Sequence, residues 1–280
     1  MTVKIVTDST SDLTTVISSE LGITVVPIYV QFGTESYRDG VDLTTEHFYQ
    51  KLSHAKILPT TGVPSPASFA EVYDKLAEVT DEILVISLSS KLSAIYEIEL
   101  QAIELMKRKC RVQVIDSLAG AMALGLITIA AAKAANAGAT LDEVISITRH
   151  NTSRAEIRFA FDTLEYLKRS GRISAAQAFL GSMLRVNPIL SLKNGEAYPV
   201  TRKRSRSKAI DYLCDFAMSY SYIEEMAVED ATTPHEAQIL LERLSVKFPK
   251  ERIYRTKVSP VVGTHVGPHV LAVSVLGDMV

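Results

Sequence analysis

Five short segments rich in hydroxyls and glycine carry most of the side chains that could do chemistry in this chain. They are TDSTSD (Thr7 to Asp12), TTGVPSP (Thr60 to Pro66), SSKLS (Ser89 to Ser93), RSGRIS (Arg169 to Ser174) and GTHVGP (Gly263 to Pro268). Each sits just past a predicted strand or at a sharp turn, and α/β folds bind ligands at the carboxyl ends of their strands. Hydroxyls, backbone amides, Arg172 and His265 suit an anionic head group. Ser93 stands where a helix is predicted to begin, an end with free N–H groups and partial positive charge. Thr61 is placed in a loop. Both residue types are also common caps and turn formers, and capping is compatible with ligand contact. Gly171 is positioned to end a helix in a left-handed turn that aims Arg172 back toward the cleft. A helix-end Arg that stabilises the dipole is the bland alternative. His265 lies between glycines that let backbone approach a ligand closely, although a lone His is often structural. His269 cannot pair with it on a helix across Gly267-Pro268.

Two further groupings admit other chemistry. Asp8 could serve as base, nucleophile or metal holder, and Asp8 with His265 defines an alternative reading, a small-molecule hydrolase or phosphotransferase. The surroundings of Asp8 do not form D-x-D-x-T, and Asp is a favoured loop residue. The basic run Arg202, Lys203, Arg204, Arg206 and Lys208 offers a nucleic-acid patch, a solvated helix start or a docking surface for an acidic protein partner. A formal net charge of −2 argues against a general nucleic-acid binder. No G-x-x-x-x-G-K-[ST] or strand-following G-x-G-x-x-G supplies a nucleotide site. Cys110 and Cys214 lack ligand spacing, so neither a metal nor a disulfide is expected. They fit packed thiols in a reducing cytoplasm. No signal peptide is expected, and the apolar stretch Leu118 to Ala132 is too short for stable membrane insertion.

The elements that must position these residues follow from periodicity. Strands are predicted at Val3 to Thr7, Ile23 to Val30, Ile83 to Leu88 and Val112 to Ile115. A helix over 66–79 starts cleanly, with Ser65 as cap and Pro66 in the first turn. Ser93 opens another helix. The Ala-rich segment forms a buried one that Gly138 ends. Thr140 and Glu143 give a capping box for a helix to about Arg154. Strands separated by helices imply a parallel sheet flanked on both faces. The second half adds a strand Ile157 to Phe161, a helix Thr163 to Lys168, and strands flanking Asn194-Gly195, a hairpin signal. Helices over 205–219 and 234–247 and strands near 226–228, 252–258 and 270–275 complete it. The expected fold class is α/β with two α/β domains. One, over 1–153, carries a parallel sheet flanked by helices; the other, over 154–280, carries a mixed sheet and helices.

Taken in order and spacing, the segments resemble those of the DegV family over essentially the whole chain. VTDSTSDL is similar to the family's opening and TTGVPSPASF to its T-S-x-P-S-P segment. SSKLSAIYEIELQA is similar to S-S-x-L-S-G-T, and VIDSLAGAMALG to the D-S segment with small residues. FDTLEYLKRSGRIS resembles L-x-x-L-x-x-G-G-R-I-S, LRVNPILSLKNGEAYP the P-I-L-x-x-x-x-G segment, and GTHVGP the H-x-G-P-G segment. The resemblance implies a carrier without its own catalytic site. It would hold a long-chain fatty acid in an apolar tunnel and present the carboxylate to a dihydroxyacetone-kinase-like fatty acid kinase subunit, which makes acyl-phosphate. It implies no cofactor besides the bound fatty acid. By motif it assigns the carboxylate to Thr61, Ser93, His265 and Arg172. Asp8, Ser9, Gly62, Ala94, Ser117, Ala121, Gly263 and Thr264 would line the site, and Arg204 and Arg206 would meet the kinase. The chain departs from the family pattern at Gly62, Ala94, Ile95, Ala121, Ala123, Ser170 and His269, which predicts an altered Ser93 loop and an altered 262–269 turn.

Overall fold

The computed structural model describes residues 2–182 and 186–279; Leu184 and Arg185, which open the LRVNPILSLKNGEAYP segment, lie outside them. The chain runs β1 (Lys4–Asp8), α1 (Thr15–Leu21), β2 (Ile23–Val26), β3 (Tyr29–Phe32), β4 (Glu35–Arg38), α2 (Thr45–His54), β5 (Thr60–Gly62) and α3 (Pro66–Leu76). It continues with β6 (Glu82–Ser87), α4 (Ile95–Glu104), β7 (Arg111–Asp116), α5 (Ala121–Asn136), α6 (Leu141–Thr152), β8 (Ala155–Ala160) and α7 (Glu165–Arg169). Then follow β9 (Asn187–Lys193), β10 (Glu196–Lys203), α8 (Arg206–Met218), β11 (Tyr220–Asp230), α9 (Pro234–Leu244), β12 (Ile253–Lys257), α10 (Pro260–Val266) and β13 (Leu271–Met279).

The fold is α/β, as expected. A four-stranded parallel sheet has the order β2-β1-β6-β7. Its central strands read IVTD and ILVIS and are buried on both faces, the pattern of a strand covered by helices on each side. A six-stranded sheet has the order β10-β9-β8-β13-β11-β12 and is mixed: β11 and β12 run parallel and the other pairs antiparallel. The β9–β10 hairpin turns on Asn194 and Gly195 at φ 52° and 82°, the positive values its Asn-Gly sequence favours.

Several expectations need correction. Ile23 to Val30 is two strands, not one: β2 ends before Pro27, which has no N–H to give a ladder, and β3 starts a separate sheet of order β4-β3-β5. That small sheet and the helices α1 and α2, capped by Thr14 and Thr44, were not anticipated. The Ala-rich helix begins at Ala121, because Leu118 and Ala121 both take positive φ and break the first turn. The short helix after β8 covers Glu165–Arg169, with the Thr163 hydroxyl accepting from the Glu165 amide at 3.2 Å. GTHVGP is not simply a turn: its first residues lie in α10, which Ser259 caps, Pro260 opens and Gly267 stops.

Helix α5 is buried nearly all round, which its run of Ala and aliphatic residues allows. It packs against β1 and β6 of the parallel sheet and against β8, β11 and β13 of the mixed sheet. The largest cluster of buried apolar side chains consequently runs from Val3 to Ala272 through both layers. Helix α10, late in the chain, packs on α2, β3 and β5. This brings His265 to the strand that carries Thr61. No helix among the described residues is long and apolar enough to cross a membrane.

Candidate functional site

Thr61 is on strand β5, where Val30 of β3 is its backbone partner, rather than in a loop. Its hydroxyl lies 3.1 Å from His265 Nε2 across 204 residues of sequence. Burial, and secondarily the charge of Arg172, push the imidazole down to about 4, so His265 is neutral at neutral pH. Its Nδ1 is buried and has no hydrogen-bond partner among the described residues. A buried polar atom without a partner is costly and marks a place where a ligand or water can be accommodated.

Ser93 sits two residues before α4. The cap position itself is Ala94, and the Ser93 hydroxyl accepts from the Ile95 amide at 3.3 Å. Gly171 takes φ 74° after α7, as the turn signal predicted. Arg172 then donates from Nε to the Leu92 carbonyl at 3.2 Å and from Nη1 to the Ser170 carbonyl at 2.5 Å. It therefore fastens the 169–174 turn to the loop that carries Ser93.

Thr61, Ser93, Arg172 and His265 all line one cavity, with about 770 Å³ of unfilled space, part of it open to solvent. The remainder of the wall is overwhelmingly apolar. Leu88 and Leu92 come from the 88–93 loop, Phe159 from β8, Leu192 from β9, and Val262 and Val266 from the faces of α10 beside His265. Sequence reasoning did not name these residues. Adjacency was the available signal: Leu92 and Ile95 flank Ser93, Val63 follows Thr61, and Val262 and Val266 lie within a turn of His265.

The residues expected to line the site divide. Ala121 lines the cavity, and Ala94 lines a shallow groove at its edge with Lys91, Gly171 and Arg172. Asp8, Ser9, Gly62, Ser117, Gly263 and Thr264 do not line the cavity. Both carboxylate oxygens of Asp8 are occupied, accepting from Thr10 N at 2.8 Å, Thr10 Oγ1 at 2.5 Å and Leu88 N at 3.3 Å. Burial raises its pKa despite these bonds. No hydrogen bond joins it to His265 among the described residues. The Ser9 hydroxyl accepts from Ile28 N at 3.1 Å, Ser117 from Ala119 N at 3.1 Å, and Thr264 donates to the Pro260 carbonyl at 2.9 Å. Gly263 admits a neighbour, since a β-carbon there would stand 2.5 Å from the Tyr49 hydroxyl. A β-carbon on Gly62 would press on the Gln31 amide at 3.2 Å.

Arg204 is exposed. Arg206 is not available as a free surface cation. Its guanidinium bonds Glu236 at 2.7 Å, Asp162 at 3.3 Å, and the carbonyls of Ala160 and His269 at 3.2 and 2.8 Å. The basic run thus divides: Arg206 turns inward, Arg202 is half-buried with its guanidinium 4.1 Å from the centre of the Phe179 ring, and Arg204 and Lys208 are exposed. Among the described residues no group of three His, Cys, Asp or Glu side chains could hold a metal ion.

Comparison with known proteins matches this architecture. A family model described as "Uncharacterised protein, DegV family" matches residues 2–278. A DegV domain-containing protein of Streptomyces coelicolor is 36% identical over 98% of each chain. Protein DegV of Bacillus subtilis is 32% identical, again over 98% of each. A DegV family protein of Thermus thermophilus, whose structure is described as showing fatty acid binding, superposes with a TM-score of 0.90 at 31% identity, covering 99% of this chain and 100% of that one. The structure of the Bacillus subtilis protein, described as a fatty acid binding protein, gives 0.88 at 29% identity over 99% of both chains. This chain belongs to the DegV family.

Proposed function

We propose that this protein binds one long-chain fatty acid in the cavity and presents its carboxylate to a partner kinase. The observation that carries the reading is a single cavity, apolar along most of its wall, that gathers Thr61, Ser93, Arg172 and His265 from four separated segments. Each buried CH₂ contributes about 0.8 kcal/mol, so a palmitoyl-length tail supplies on the order of 10 kcal/mol before losses. A carboxylate entering such surroundings needs donors. The Thr61 and Ser93 hydroxyls and a neutral His265 donate without adding buried charge, while Arg172 sets a positive potential at the exposed edge. The fatty acids bound by the Thermus and Bacillus relatives support the ligand class.

Presentation to a dihydroxyacetone-kinase-like subunit is the finer part of the proposal. It requires the head group near the surface and the tail hidden, and it is consistent with Arg172 and Ala94 bordering solvent. Arg204 is the candidate contact. Arg206 supports the surrounding fold instead. Native mass spectrometry of the purified chain is expected to show one fatty acid per protein. A ligand-free protein that also fails to take up palmitate and oleate sinks the reading.

A further inference from the structure

The cavity shares part of its wall with a second space. Leu92, Ser93 and Arg172 line the cavity and also line the shallow groove outside it, which holds about 670 Å³ of unfilled space, much of it open to solvent. A carboxylate bonded to Ser93 would sit at the border of the two. Three charged side chains border the groove, Lys91, Arg172 and Glu97, and all are exposed. The backbone that carries the lysine is fixed. The Ser90 amide donates to Asp116 Oδ1 at 3.2 Å, the Lys91 amide to the Ser89 hydroxyl at 3.2 Å, and the Leu92 amide to the Ser89 carbonyl at 2.9 Å. Of the Lys91 nitrogens only that amide is bonded among the described residues. Arg172 is tied to the same loop through Nε and Nη1, which leaves Nη2 uncommitted among the described residues.

Resting on the reading above, in which a bound fatty acid is presented to a kinase, we propose that the groove holds the phosphate of the acyl-phosphate product and that Lys91 binds it. In the transfer a carboxylate oxygen attacks the terminal phosphorus of a nucleoside triphosphate held by the partner. An O–P bond forms, the bond from that phosphorus to its bridging oxygen breaks, and the nucleoside diphosphate leaves with the electron pair. The head group gains a phosphate and goes from one negative charge to about two. Thr61 and His265 line the cavity but not the groove, so the added charge falls to Lys91 and Arg172. An ammonium group serves a phosphate as a point charge and demands no fixed fork geometry. Glu97 opposes it, but two cations against one carboxylate leave the groove net positive. The start of α4 adds to this potential, since its cap residue Ala94 makes no side-chain hydrogen bond.

The test uses the full chain, stripped of ligand and titrated with palmitate and with the ketophosphonate analogue of palmitoyl phosphate, in which a methylene replaces the labile bridging oxygen. Lys91→Gln is expected to lower the ketophosphonate-to-palmitate affinity ratio by about threefold to fivefold, and Glu97→Gln to raise it by about twofold. Both positions are exposed, and melting curves check that the variants fold. A ratio that Lys91→Gln leaves unmoved overturns the proposal, and Glu97→Gln decides it should that variant fail to fold. A wild-type chain that binds palmitate but not the ketophosphonate also overturns it, while leaving the fatty-acid reading intact. A wild-type chain that binds neither overturns the fatty-acid reading and the proposal with it.

Discussion

His265 is held neutral by its burial, and that neutrality makes it a sensor of the head group. Desolvation, and then the charge of Arg172, push the imidazole down to about 4. A carboxylate brought beside Thr61 favours the protonated ring and raises that value. NMR titration of His265 with and without saturating fatty acid is expected to show an upward movement of at least about one unit, worth roughly 1.4 kcal/mol. An unmoved titration places the carboxylate elsewhere. Ser93 works differently: its oxygen already accepts from the Ile95 amide, so its hydroxyl proton remains to be given to an anion. The motif residues Thr61, Ser93, Arg172 and His265 were legible in the sequence because hydroxyls, a guanidinium and an imidazole at turn signals stand out. The engagement of the Asp8 carboxylate by its neighbours was not legible. It depends on where Thr10 and Leu88 place their amides.

At the scale of elements, the β9–β10 hairpin closes the cavity against the 88–93 loop. Its tip is latched by the Ser89 hydroxyl, which donates to the Gly195 carbonyl at 2.8 Å. Gly195 has φ 82°, and a β-carbon there would collide with the Ser89 oxygen and approach Leu118 and Lys91 at 3.2 Å. Leu192 and Ala197, on either side of the turn, form part of the cavity wall. Gly195→Ala is expected to break the latch, cost about 1–2 kcal/mol and speed release of bound fatty acid several-fold. Stopped-flow displacement of a fluorescent fatty acid checks it, and an unchanged release rate would remove the hairpin tip from the path. Asn-Gly announced this hairpin by its turn chemistry. Helix α10 was hidden because its glycines and prolines read as a turn, whereas Ser259-Pro260 open a short helix that Gly267 ends.

The whole molecule is joined by buried acids as well as by α5. Asp12 accepts from the Ser259 amide at 3.1 Å and Asp39 from the Val261 amide at 3.4 Å, holding the first turn of the helix that carries His265. Glu229 of β11 lies beside Asp12. Burial raises Asp39 to about 7, with repulsion from Asp12 adding to it. Burial raises Glu229 to about 7 as well. An unfolded Asp loses its proton near 3.8, while folded Asp39 keeps its own until about 7. The unfolded state therefore binds fewer protons between those values, and the contribution to stability present in acid is lost as pH rises through 7. His265 acts in the opposite sense, costing stability as pH falls from 6.5 toward 4. Asp39→Asn keeps an acceptor for Val261 and cannot ionise. It is expected to raise the stability at pH 8 relative to pH 5 by about 2 kcal/mol compared with the unsubstituted chain. Denaturant melts at the two pH values measure this. Equal pH dependence in both proteins would show that Asp39 ionises freely.

The order of strand and helix signals, the turn chemistry at Gly171 and Asn194-Gly195, and the spacing of the hydroxyl-rich segments determined the α/β class, the family and four residues that line one cavity. These are local properties, written in neighbouring side chains and their backbone preferences. Only the tertiary structure decided that Thr61 lies on a strand, that Arg206 turns inward to Glu236, and that Leu88, Leu92 and Leu192 close around Gly120. A cavity wall is assembled by packing between segments as distant as 61 and 265. Which faces meet is set by the burial of whole helices and sheets, a long-range outcome that no window of sequence contains.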